Sequence, residues 1–109
     1  YWDYDAPVTK ETPRDVSAAA VTASAMIELS TMVPDGQKYL DYAEKILKSL
    51  SSDAYLAKVG DNQGFILMHS VGSLPNGSEI DTPLNYADYY YLEALKRFMD
   101  LKGINYKDI

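Results

Sequence analysis

Groups able to do chemistry gather in two stretches of this chain. The first, YWDYDAP at residues 1–7, sets Trp2 between Tyr1 and Tyr4 and interleaves Asp3 and Asp5. Flat aromatic faces of this kind stack on sugar rings, and carboxylates accept hydrogen bonds from sugar hydroxyls. Two carboxylates are also what displacement at a glycosidic bond requires, although spacing within one loop does not set their separation. The competing reading is an aromatic plug whose acids cap local amides. The second stretch, GFILMHSVGSLPNGSEIDTPLNYADYYYLEAL at residues 64–95, carries the only histidine, His69, beside Ser70, and then Tyr86, Asp88, Tyr89, Tyr90 and Tyr91. His69 and Ser70 can contact a substrate or simply hydrogen-bond within the fold. Of the four tyrosines at most one or two can face a ligand, and the rest are core. Asp88, among tyrosines, reads as a satisfied packing acid before a catalytic one.

Composition narrows the chemistry further. A single histidine and no cysteine make a metal site hard to assemble from this chain. The net charge is −6, and the ten Lys and Arg are scattered among acids, which argues against nucleic acid. No run approaches the roughly 18 apolar residues of a membrane span, so no membrane partner is expected. The absence of cysteine leaves the compartment open. At 109 residues one small domain is the expectation, and a start inside an aromatic, acidic motif reads as a piece of something longer.

Three helices must position these groups. The first begins with Thr12 as N-cap and Pro13 in the first turn, with Asp15 at the positive end of the dipole. From Val16 to Met32 its only charge is Glu28. A helix small or apolar on every side should be buried on every side, an inner helix. The second, roughly residues 35–51, has Tyr39, Leu40, Ala43, Ile46, Leu47 and Leu50 on one stripe and charges opposite, an outer helix. Residues 52–58 suggest a short helical turn, residues 65–68 an extended segment, and residues 70–82 a loop. The third helix, about residues 83–102, enters through Thr82 and Pro83 and stops at Gly103. Inner, outer, inner is the order of an α/α toroid. The fold class expected is therefore all-α, a partial (α/α)6 barrel. Two inner helices left uncovered should make the isolated chain self-associate.

Three ordered blocks, YWDYDAP, RDVSAAAV (residues 14–21) and HSVGSLPNGSEIDTPLNYADYYYLEAL (residues 69–95), closely resemble the C-terminal end of the unsaturated glucuronyl hydrolases, glycoside hydrolase family 88. The resemblance covers nearly the whole chain. It implies about the last third of a six-hairpin barrel, an oligosaccharide partner ending in a 4,5-unsaturated uronic acid, and no cofactor or metal. The implied reaction is hydration: an aspartic acid protonates the double bond, water adds, and the hemiketal rearranges to break the glycosidic link. The family's essential aspartates lie upstream of anything matching these blocks, so no catalytic residue is expected here and the piece alone should be inactive. What is implied for this chain is substrate binding by Trp2, Asp3, His69, Ser70 and Tyr86. Some members bind sulphated sugars through serines and a lysine near this loop, whereas here Ser70 and Ser73 have no nearby Lys. The related unsaturated rhamnogalacturonyl hydrolases share the barrel, but their inner-helix motif does not match RDVSAAAV. The alternative from the residues alone is a helical module that binds sugar or protein without turnover.

Overall fold

The computed structural model describes residues 1–105 and 107. Its helices are α1 (Val16–Ser30), α2 (Gly36–Leu50) and α3 (Asn85–Lys102), and an antiparallel hairpin of β1 (Ser70–Ser73) and β2 (Ser78–Thr82) precedes α3.

α1 starts at Asp15 and not at Thr12. Asp15 has extended backbone and its carboxylate accepts the Ser17 amide at 3.0 Å. An ionised acceptor one residue before the helix satisfies the first-turn donors that Thr12 was expected to cap. Thr12 instead folds back on Pro7 and Thr9 in an irregular loop. After α1 the chain reverses in a few residues, and Gly36 makes that possible. A Cβ there would stand 1.8 Å from the Ser30 carbonyl oxygen, so only glycine lets α2 begin so close to the end of α1. α2 buries Leu40, Ala43, Leu47 and Leu50 against α1 and turns Lys38, Asp41, Lys45 and Lys48 to solvent, the outer-helix pattern expected.

α1 and α3 run in the same direction. Ser24 donates to Glu93 at 2.5 Å and Arg97 reaches Glu28 at 3.2 Å, both pairs 69 residues apart. A constant offset means that the two axes advance together. Ala20 and Ala23 of α1, and Ala87 and Ala94 of α3, are fully buried, and such short side chains let the helices approach closely. The expectation of burial on every side is not met for α1. One stripe, Ala18, Val21, Ala25 and Leu29, stays open, with Val21 40% and Leu29 37% exposed. Only one other inner helix is present among the described residues, so nothing covers the remaining flank.

α3 likewise starts later than expected, at Asn85, with Leu84 as N-cap and no side-chain cap. Thr82 is unavailable for capping because it closes the ladder opposite Ser70. Gly103 ends the helix in left-handed backbone, φ +70°. Residues 70–82 form the hairpin and not a plain loop. Leu74–Gly77 is its turn, closed by the Gly77 amide on the Leu74 carbonyl at 3.0 Å, with Gly77 at φ +63°. Ahead of the hairpin, residues 65–68 are extended, and Leu67 bridges to Leu56. Asp88 of α3 holds that segment, accepting the amides of Ile66 at 2.8 Å and Leu67 at 2.9 Å. It is the packing acid that its tyrosine-rich setting suggested.

Candidate functional site

Parallel axes bring the starts of α1 and α3 to one end, where β1 and β2 lie against α1 and form one wall of a mouth. Asp15 organises that junction. One of its oxygens, Oδ1, accepts the Ser17 amide at 3.0 Å, the Ser17 hydroxyl at 2.7 Å and, from the hairpin, the Val71 amide at 3.2 Å. The Val16 amide donates to the His69 carbonyl at 3.0 Å. Helix start and hairpin are thus stitched by two adjacent residues.

Tyr86 sits in the first turn of α3, 40% exposed, its hydroxyl bonded to Ser17. Its pKa is raised, first by burial and then by the negative charges of Asp15 and Glu79. The phenol therefore stays protonated and can donate to a sugar oxygen. Glu79 is held in left-handed backbone, φ +54°, with its side chain folded over Gly72, where a Cβ would clash at 2.1 Å. Ser70 is fully buried, and its hydroxyl has no hydrogen-bond partner among the described residues. His69 also has left-handed backbone, φ +70°. Its Nδ1 lies 2.5 Å from Asp81 Oδ1 and its ring packs edge-on to Tyr55.

Of the five residues expected to bind substrate, His69 and Tyr86 keep accessible side chains beside the hairpin and at the start of α3, whereas Ser70 is fully buried. No hydrogen bond or ring contact joins Trp2 or Asp3 to them among the described residues. Asp3 accepts the Asp5 amide at 2.7 Å, a local turn cap, and Trp2 anchors its loop by donating its backbone N–H to Pro13. Arg14, just before α1, has its guanidinium 4.1 Å from the centre of the Tyr1 ring. The start of α1 has no free amides to offer an anionic sugar at Val16 and Ser17, which donate to the His69 carbonyl and to Asp15. α3 has no such side-chain cap. Sequence reasoning missed Asp81 and Glu79. The Asn-Gly pair at 76–77 could have announced the hairpin, but nothing announced the bulge that aims Asp81.

What this mouth can do is bind a polyhydroxylated ligand through a phenol, an imidazole and carboxylates. No family model matches the chain. It is 50% identical over 101 residues to the unsaturated glucuronyl hydrolase of Formosa agariphila, a match covering 93% of this chain and 25% of that protein. The fold superposes on the crystal structure of an unsaturated glucuronyl hydrolase specific for heparin with a TM-score of 0.91 at 67% identity, over 94% of this chain and 28% of the other. A mutant unsaturated glucuronyl hydrolase from Streptococcus agalactiae, complexed with dGlcA-GalNAc6S, matches at 32% identity and a TM-score of 0.81, over 90% of this chain and 27% of its own. The chain spans about a quarter of the length of the curated relatives it matches. In sequence and in fold these 109 residues are thus identified with a segment, mostly helical, of the unsaturated glucuronyl hydrolase barrel.

Proposed function

We propose that this chain is the C-terminal wall of a glycoside hydrolase barrel that hydrates the 4,5-double bond of unsaturated uronic acids on lyase-generated oligosaccharides. The observation that carries the reading is the parallel pair α1 and α3, whose starts assemble a hydroxyl- and imidazole-lined mouth at one end of an incomplete ring. Substrate is held there by His69 and Tyr86, with Trp2 and Asp3 on the flanking loop, while Ser70, fully buried, presents no accessible hydroxyl. The proton donor to the double bond lies outside these residues. The carboxylates at this end are already engaged: Asp15 by three donors, Asp81 by His69, Asp88 by two amides and Asp3 by Asp5. Carboxylates that accept these hydrogen bonds are committed to holding the fold together. The chain alone is therefore inactive, and its partners are the remainder of the barrel and the sugar.

The 67% identity to a heparin-specific relative supports heparin-derived unsaturated disaccharides as the first substrates to try. The test is loss of double-bond ultraviolet absorbance when the full-length protein meets such disaccharides. Turnover is expected from the full-length protein and none from the 109-residue chain. A folded full-length protein that binds the disaccharide and leaves its double bond intact would overturn hydrolysis in favour of a sugar-binding module.

A further inference from the structure

We propose that His69 and Asp81 form a fixed-tautomer pair that offers the imidazole Nε2 as hydrogen-bond acceptor to a hydroxyl of the bound sugar. His69 is the binding residue and Asp81 the residue that positions it. The inference rests on the reading of this end of the barrel as a sugar site.

Both residues occupy backbone that a Cβ disfavours. His69 has φ +70° and Asp81 φ +51°. The hairpin register explains the second. Ser70 pairs with Thr82 while Val71 pairs with Ile80, so Asp81 is the extra residue of a β-bulge, the device by which sheets re-aim a side chain. The bulge turns Asp81 onto His69, and Oδ1 lies 2.5 Å from Nδ1. Two adjacent unfavourable conformations that end in one short contact indicate geometry retained for use.

A carboxylate oxygen facing Nδ1 selects the tautomer with the proton on Nδ1, and in that neutral tautomer Nε2 keeps its lone pair. No described residue bonds Nε2. The ring is held by Tyr55, edge-on at 6.3 Å between centroids, and the side chain remains 42% exposed. It borders a cleft of about 330 Å3 whose other walls include Lys10, Thr12, Arg14 and Ile80. That space is at the lower end of small-ligand pockets, enough for one sugar ring. An acceptor hydrogen-bonded to one hydroxyl of that ring holds analogues lacking the hydroxyl less tightly.

The test uses the full-length protein. Nitrogen-15 NMR of its imidazoles, with the His69 signal assigned by its loss in His69→Asn, should show the proton on Nδ1, and Asp81→Ala should abolish that preference. His69→Asn tolerates left-handed backbone and should raise KM for an unsaturated disaccharide on the order of tenfold with kcat nearly unchanged. A disaccharide lacking the recognised hydroxyl should bind wild type and variant equally, which a merely structural histidine would not produce. A proton on Nε2, an unchanged KM, or a loss confined to kcat overturns the proposal while leaving the proposed function intact. Failure of the full-length protein to bind any unsaturated disaccharide overturns both.

Discussion

Replacing Asp15 by serine separates two jobs done by one oxygen. Serine caps a helix about as well as aspartate, so the Ser17 amide keeps an acceptor and α1 keeps its start. Its hydroxyl lies closer to the backbone and cannot also span to Val71, whose amide now rests 3.2 Å from Oδ1. A hydrogen bond to a carboxylate contributes about 1.5–3 kcal/mol, and the long distance argues for the lower figure. Val71 is 7% exposed, so water compensates poorly for the lost acceptor. The expected outcome in Asp15→Ser is therefore a local loss of about 1.5 kcal/mol, or roughly a tenfold faster exchange of the Val71 amide. Asp15→Ala should lose about 1 kcal/mol more, because the cap goes as well. Hydrogen exchange on the full-length protein, followed by mass spectrometry across residues 69–73 and across α1, reads both quantities. Unaltered exchange at the hairpin in Asp15→Ser would refute the tether, and faster exchange in α1 would show that the cap was the larger effect.

Three further outcomes are expected. Asp88→Ala removes the acceptor of the Ile66 and Leu67 amides, and at about 1.5 kcal/mol or more for each it should cost about 3 kcal/mol in denaturant unfolding, with a tryptophan or dichroism readout. Glu93 has a lowered pKa, first because the Ser24 hydroxyl donates to it and then through Tyr89 and Arg97. A depressed carboxyl stabilises above its unfolded pKa and loses that contribution as pH falls through the folded value. Stability against acid should therefore decline less steeply in Glu93→Gln, as thermal melts over acidic pH will record. Finally, the 109-residue chain by itself should sediment as oligomers through its open α1 stripe, and a monodisperse monomer with a cooperative melt would contradict that.

The helices were legible because burial writes a period into sequence. α2 shows its stripe of Leu40, Ala43, Leu47 and Leu50 plainly, and the near-absence of charge in α1 marked it as an inner element. Starts were less legible. Thr12 and Thr82 have the right chemistry for caps, but each is claimed by another partner, Pro7 in one case and the strand ladder in the other. Such competition is tertiary and has no local signature. The hairpin was missed because β1 and β2 are short and mostly polar, with one large apolar residue each, Val71 and Ile80, so no alternation of apolar residues announces them. At the site, His69, Ser70 and Tyr86 stood out by type. Asp81 did not, because its role depends on a one-residue register shift.

The register between α1 and α3 also determines what the mouth contains. The buried Ser24 hydroxyl is paired with Glu93, and Arg97 bonds both the Ser24 carbonyl and the Glu28 carboxylate. Those contacts lie seven or more residues along α1 from Ser17, about 10 Å down the axis. Sliding α3 by one turn would break every one of them, and it would bring Tyr90 where Tyr86 now meets Ser17. The alanines between the helices cannot oppose such a slip, because small smooth surfaces pack equally well at several offsets. Polar pairs can oppose it, since a buried hydroxyl left without its carboxylate is costly at any other offset. The residues that choose which tyrosine meets Ser17 are thus Ser24, Glu93 and Arg97, well away from the helix starts themselves.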